Sequence, residues 1–415
     1  MKYLYNFCVV LALLALASCS PEVDDVFDES ASERIRKAIE EDLRVLQSAP
    51  NGWLLEYYPS ATQMYGGYTV LLSFDKDGNV KASCDIFDSS KEVQSLYEVR
   101  QSTGPTLTFD TYNEIFHFFS EPSNPFGIGS NGKGMEGDYE FLILECTAEK
   151  VVLKGKKTGI KMLMTPMPED KPWKQYLVEA QKVANEAYLG MYDVKVNGEV
   201  KYTVVREYHR FVLTHEDGTQ ENLPFIYTED GIKFYEPIEL GNTQMQSLAW
   251  NKAGQSYVNG DISMNGVKPS GYKMISEFPG TYTFYYDSPA TSKRVTLERP
   301  ESENPFSSYL IMKGFEDYEF WLAYDAAYGR ISIVTHMVTS SAALLPWALD
   351  PKTGSGNIST GNGVGLVGIN GSGGVITFED NGVWGGEVVT SMIVFDLIAE
   401  QALLRIPYIT KMVKQ

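Results

Sequence analysis

The sequence predicts a mainly β protein, a β-rich α+β fold of antiparallel sheets in two or three modules, with an N-terminal helix and a linking helix. Three observations predict it. Asn-Gly and Asp-Gly pairs recur at Asp77-Gly78, Asn197-Gly198, Asp217-Gly218, Asp230-Gly231, Asn265-Gly266 and Asn381-Gly382, and such pairs supply the positive φ that tight hairpin turns need. Between them lie runs such as Tyr68–Phe74, Tyr139–Glu145 and Tyr318–Tyr324, rich in the aromatic and β-branched residues that suit a pleated surface. Strands and helices do not alternate along the chain, which argues against a parallel βαβ sheet.

Composition sets the outer bounds. Of 415 residues, 43% are hydrophobic and 21% charged, so the chain has a globular makeup rather than a disordered one. Lys and Arg number 35 against 54 Asp and Glu, a net charge of −19. A field of that sign repels phosphate backbones, so no nucleic-acid partner is expected.

The elements follow in order. Lys2 precedes an apolar run from Cys8 to Ala17, too short for the ~20 residues of a bilayer span, so residues 1–18 read as a signal peptide. Leu16-Ala17-Ser18-Cys19 looks like a bacterial lipobox, in which cleavage leaves Cys19 to carry lipid. Acyl chains there anchor the protein at ~0.8 kcal/mol per buried CH₂. The membrane is thus an expected partner through the N-terminal lipid, and an ordinary secretory signal is the alternative. Residues 19–29 form an acidic tether.

The first module, residues 30–168, opens with a helix. Ser30-Ala-Ser-Glu33 is a capping box, Ile35, Ile39, Leu43 and Leu46 recur at helical spacing, and Pro50-Asn51-Gly52 ends it. A short helix is expected over Tyr112–Phe119. The linking helix, Lys171 to Leu189, opens residues 169–275; Asp170 is placed to cap it, and Trp173, Leu177, Ala180 and Val183 line one side. Residues 276–415 form the last β module. Asn124-Pro-Phe126 followed by Asp138-Tyr-Glu-Phe141 returns as Asn304-Pro-Phe306 and Asp317-Tyr-Glu-Phe320, so this module is expected to duplicate part of the first.

Several short words carry a family resemblance. Phe27-Asp-Glu-Ser-Ala-Ser-Glu-Arg-Ile35, Asn51-Gly-Trp53 and Leu153-Lys-Gly-Lys-Lys-Thr-Gly159 resemble the Bacteroidetes lipoproteins grouped as domain-of-unknown-function family 4302. The acidic Ser20-Pro-Glu-Val-Asp-Asp25 resembles the surface-export signal of such lipoproteins. The resemblance implies an outer-membrane, lipid-anchored protein at the cell surface or in the periplasm. It also implies the company of a TonB-dependent receptor and SusD-like uptake complex. It transfers no catalytic residues.

No stretch carries a recognisable reaction. His209 and His215 share a strand face, but six residues at ~3.3 Å set them about 20 Å apart, so they are read as exposed strand residues rather than metal ligands. Gly127-Ile-Gly129-Ser-Asn-Gly132 and Gly363-Val-Gly365-Leu-Val-Gly368 match the dinucleotide pattern by letter, yet no helix follows either. No His-Glu-x-x-His and no nucleophile elbow is present. Cofactors and metals are not expected.

Cys84 and Cys146 remain after Cys8 is removed and Cys19 acylated; they either form one disulfide outside the cytosol or stay as two separate buried thiols. Trp173 and Trp321 read as core. Trp347 and Trp384, flanked by loops, are the rings that can face a ligand, with core packing as the alternative. The expectation is a non-catalytic accessory of nutrient acquisition that binds a glycan or peptide. The alternatives are a glycoside hydrolase built on a carboxylate pair or a structural subunit of an uptake complex.

Overall fold

The computed structural model describes residues 30–415, apart from 110, 127, 130–131, 216, 241–242, 288–290 and 302–307. Cys19, the tether and Asn304-Pro-Phe306 lie outside the described residues. Helix α1 (Ala31–Leu46) starts where Ser30 Oγ accepts the Glu33 N–H at 3.2 Å. Glu33 turns outward to Arg36 at 2.6 Å, so only the hydroxyl half of the expected capping box is in place.

Nine antiparallel strands follow: β1 (Trp53–Tyr57), β2 (Tyr68–Phe74), β3 (Asn79–Cys84), β4 (Val93–Leu96), β5 (Glu98–Gln101), β6 (Pro105–Thr108), β7 (Glu140–Cys146), β8 (Val151–Gly155) and β9 (Lys161–Pro166). They make one sheet in the order β4-β3-β2-β1-β9-β8-β7-β6-β5. Helix α1 packs on β5–β7, and helix α2 (Glu114–Ser120) buries Ile115, Phe116, Phe118 and Phe119 in the same core. Asn113 caps α2, its Oδ1 accepting the Ile115 and Phe116 N–H groups at 3.1 and 3.3 Å.

The linking helix α3 (Trp173–Glu186) is shorter than the expected span. Pro172 occupies its N-cap position without a side-chain hydrogen bond, so Asp170 does not cap it. Its Tyr176, Leu177, Ala180 and Val183 are buried against a closed barrel. That barrel runs β10 (Met191–Val196), β11 (Glu199–Glu207), β12 (Arg210–Thr214), β13 (Gln220–Tyr227), β14 (Gly231–Leu240), β15 (Thr243–Asn251), β16 (Ser256–Asn259) and β17 (Ile262–Gly266). Closure is made by β10 against β17, with Val196 opposite Ile262. Asn265-Gly266, expected as a hairpin turn, is therefore strand: the pair faces Asp193 and Tyr192 in that closing ladder.

The remaining strands are β18 (Gly280–Tyr285), β19 (Ser292–Glu298), β20 (Tyr309–Phe315), β21 (Tyr318–Asp325), β22 (Arg330–Val334), β23 (His336–Met337), β24 (Ala342–Leu349), β25 (Gly356–Ile358), β26 (Gly365–Asn370), β27 (Val375–Asp380), β28 (Ser391–Asp396), β29 (Gln401–Ile406) and β30 (Lys411–Lys414). β18–β22, β26, β27 and β30 close a second barrel; β23, β24, β28 and β29 form a small sheet, with β25 on β24. The two Asp-Tyr-Glu-Phe words run into β7 of an open sheet and β21 of a barrel, so the echo does not extend to topology. The modules that share an architecture are the two barrels.

The modules are stitched together by side chains and close backbone approach. Thr69 Oγ1 donates to Tyr227 O at 3.3 Å, and Lys233 Nζ reaches Glu56 Oε1 at 2.6 Å. Gly66 bridges His209 with φ +68, and a Cβ there would stand 2.0 Å from the His209 carbonyl oxygen. Glycine alone permits that contact. Between the barrels, Gly190 N donates to Ala326 O at 3.1 Å, and Tyr324 Oη to Lys273 O at 2.9 Å.

Candidate functional site at the meeting of three segments

A cleft of about 570 Å³ opens where the open sheet, α3 and the first barrel meet. The loop after β3 supplies Asp85, Phe87, Asp88 and Lys91. α3 supplies Ala180, Gln181, Ala184 and Asn185, and the barrel supplies His209 and Tyr227. Phe126 comes from the loop after α2. Clefts of this size, set between modules and lined by apolar and polar groups together, are where proteins hold small ligands.

Each wall has a local cause. Asn124 pins its own loop, its Oδ1 accepting the Phe126 and Ile128 N–H groups at 3.1 and 3.0 Å while Nδ2 donates to Ile128 O at 2.6 Å. Phe126 is thereby held against Phe87 (5.7 Å between centroids) and Phe118 (5.0 Å). Gln181 Nε2 donates to Asp85 O at 2.8 Å and Phe87 O at 2.6 Å, tying α3 to the β3 loop. Lys91 Nζ lies 4.3 Å from the Phe87 ring centroid and 2.5 Å from Glu114 Oε1.

The cleft's electrostatics are split. Asp85 is buried; its Oδ2 accepts the Thr69 N–H at 3.1 Å, its Oδ1 lies 3.5 Å from Cys84 Sγ, and burial pushes its carboxyl up to about 7. Asp88 is exposed and held below the usual carboxylate range, first by the Ser90 hydroxyl and then by the Ser90 N–H. His209 is buried too, which corrects its reading as an exposed strand residue. Tyr208, at φ +51, turns the chain sharply between β11 and β12 and tucks the ring against Tyr68 at 4.5 Å. His209 Nδ1 donates to Gly67 O at 2.6 Å, and burial lowers its pKa to about 4, so the imidazole is neutral.

Apart from His209, the residues singled out from sequence lie elsewhere. Cys84 and Cys146 are free thiols. Cys84 is buried on β3, and Cys146 at the end of β7 contacts Asp42 O at 3.8 Å. Trp347 is not loop-flanked: it sits within β24, opposite Ile358 and Ser391, half-buried on Ala343, Leu345 and Ile393. Trp384 lies in a loop, half-buried on the second barrel's core. Trp321 is the exposed ring, at 49%, because Phe320 and Leu322 take the inward positions of β21. Tyr309 and His336 stack beside it from the two neighbouring sides, at 5.1 and 5.9 Å with interplanar angles of 25° and 8°. Trp321 thus stacks with both rings while about half of its surface stays exposed.

Two of the family-like words, Asn51-Gly-Trp53 and Leu153–Gly159, have architectural roles. Asn51 Nδ2 donates to Pro168 O and Lys171 O at 2.6 and 2.8 Å, and the buried Trp53 Nε1 donates to Leu46 O at 2.9 Å. In Leu153–Gly159, Asp138 accepts the Lys157 and Thr158 N–H groups at 2.6 and 3.1 Å, and a Cβ on Gly155 would lie 2.2 Å from Asp138 Oδ2. Among the described residues no three His, Cys, Asp or Glu side chains converge as a metal site, and no helix is long and apolar enough to cross a membrane.

An antiparallel sheet joined to two closed barrels, with a cleft where the sheet, α3 and the first barrel meet, defines a mainly β protein. Residues 23–252 match the family model Domain of unknown function (DUF4302), and the chain belongs to that family. Residues 256–394 match a second model, DUF4987, also described as a domain of unknown function. The border falls inside the first barrel, before its closing strands β16 and β17. No curated protein matches the chain. Among solved structures, dihydro-heme d1 dehydrogenase NirN in complex with DHE is similar at 10% identity, over 89% of this chain and 75% of that one, with a TM-score of 0.09. That likeness carries no structural argument.

Proposed function

We propose that this is a lipid-anchored capture protein of the outer membrane, tethered through Cys19, that holds a small glycan or peptide ligand in the cleft without catalysis and serves a nutrient-uptake complex. The observation that carries the reading is the cleft itself: Phe87 and Phe126 form an aromatic wall, and Asp88, Gln181 and Asn185 stand around it as hydrogen-bonding groups. The lipobox and acidic tether support the location, and the family-4302 resemblance supports the uptake partner.

One observation favours a second reading. Asp85 is held protonated toward neutrality while Asp88 is held ionised, the division of labour that a glycoside hydrolase asks of two carboxyls. Against it, Asp85 is buried and hydrogen-bonded to the Thr69 amide.

Affinity electrophoresis through gels containing plant, host and microbial glycans, with a peptide panel beside it, separates the two. Retardation with the glycan intact, lost in Phe126→Ala and Asn185→Ala, is the expected result. Clearing of the glycan that disappears in Asp88→Asn establishes hydrolysis instead.

A further inference from the structure

The first barrel is not fully zipped. β13 and β14 pair only over Phe225–Tyr227 against Ile232–Phe234, beside their turn. Both strands run on beyond that point, β13 held on its other side by β12 and β14 by β15. The sequence supplies the cause: Pro224 and Pro237 stand where the ladder would continue, and neither can donate a main-chain N–H. β14 also bulges between Lys233 and Ile238, where Gln246 Nε2 donates to the Phe234 and Tyr235 carbonyls at 3.1 and 3.2 Å. Phe225 donates its N–H to His209 O, toward β12. By alternation Asn222 and Gln220 turn their main-chain polar groups to the gap.

A groove of about 450 Å³ fills this opening. Leu213, Leu223, Phe234 and Leu240, side chains of the barrel core or packed on it, make the floor. Glu221, Glu236 and Glu239 make an exposed acidic rim. Gln63 also lines it, and its Nε2 is buried without a hydrogen-bond partner among the described residues.

We propose that this seam takes an extended basic peptide, which adds a short strand between β13 and β14. Main-chain groups pair with Asn222 and Gln220, alternate apolar side chains settle on the floor, and lysines or arginines on the other face meet the glutamates. The stretch Gln220–Pro224, unpaired on its β14 side, is about 16 Å long at ~3.3 Å per residue, the length of a short added strand. The chain's own tether, with Glu22, Asp24 and Asp25, carries the wrong charge for this rim. The seam is separate from the interface cleft, and the proposal does not rest on the capture reading.

The test titrates the full chain into a fluorescein-labelled, end-capped peptide of alternating lysine and valine, read by fluorescence anisotropy. Saturable binding is expected, weakened about tenfold or more when the exposed Glu221→Lys and Glu236→Lys are combined. Binding is lost when alternate peptide amides are N-methylated, which keeps charge and side chains but removes the main-chain donors. Deuterium exchange at Gln220–Pro224 slows in the complex. Absence of binding, equal binding of the N-methylated peptide, or equal binding of a glutamate–valine counterpart overturns the proposal.

Discussion

Asp85→Asn tests the electrostatic account of the cleft, because it removes a charge that the fold resists. The native carboxyl titrates at about 7 against a usual 3.8, and burial is the first cause. An acid whose pKa is raised by folding destabilises the native state as pH rises from the unfolded value to the folded one, and by a constant amount above it. Three units at 1.36 kcal/mol each make that penalty about 4 kcal/mol at pH 8, and nothing below pH 4. Asparagine keeps an acceptor for the Thr69 N–H but brings a buried NH₂ that needs a partner, a cost of about 1–2 kcal/mol. The variant is therefore more stable than the parent by about 2–3 kcal/mol at pH 8 and slightly less stable at pH 4. Urea denaturation at half-unit steps from pH 4 to 8.5 reads the difference. A stability change that is independent of pH, or a variant weaker than the parent at pH 8, refutes the buried-carboxyl argument.

Three further outcomes follow from the same structure. His209 titrates at about 4 rather than 6.5, so its neutral form contributes stability that is complete above pH 6.5 and declines by about 3 kcal/mol as pH falls to 4; His209→Gln flattens that limb of the urea midpoint curve. Gly66→Ala places a Cβ 2.0 Å from the His209 carbonyl oxygen at φ +68, and loses at least ~2 kcal/mol by thermal or urea unfolding. Burial pushes the Cys146 thiol up to about 12 and Cys84 well above its ordinary value, so neither reacts at the rate of a free thiol with iodoacetamide at pH 8; rapid labelling of the native protein contradicts this.

The fold was legible wherever one local signal decides one local outcome. Ser30 and the Ile35–Leu46 spacing specify α1, and the glycines of Asp77-Gly78, Asn197-Gly198 and Asp217-Gly218 take the positive φ that their hairpins need. Barrel closure was not legible, because β10 meets β17 across some seventy residues and a hairpin meander reads the same whether open or closed. Trp321 shows the limit of alternation: Phe320, Leu322 and Trp321 are all apolar, so the period of two names two faces without saying which is buried. The cleft as a whole was not legible. Asp85, Phe126, Gln181 and His209 come from four distant stretches and share no motif. One local cue existed, the Asn124-Pro-Phe126 word that pins an aromatic ring to the cleft wall.

The most direct test of ligand capture in the cleft is deuterium exchange on the full chain, with and without whichever glycan or peptide retards it in the gel. Exchange reads local opening segment by segment, so it locates the bound surface without a variant. Slowed exchange confined to 85–91, 124–128 and 180–186 is the predicted result. Protection that falls instead on β24 and β28, or retardation with no change in those three stretches, contradicts the account.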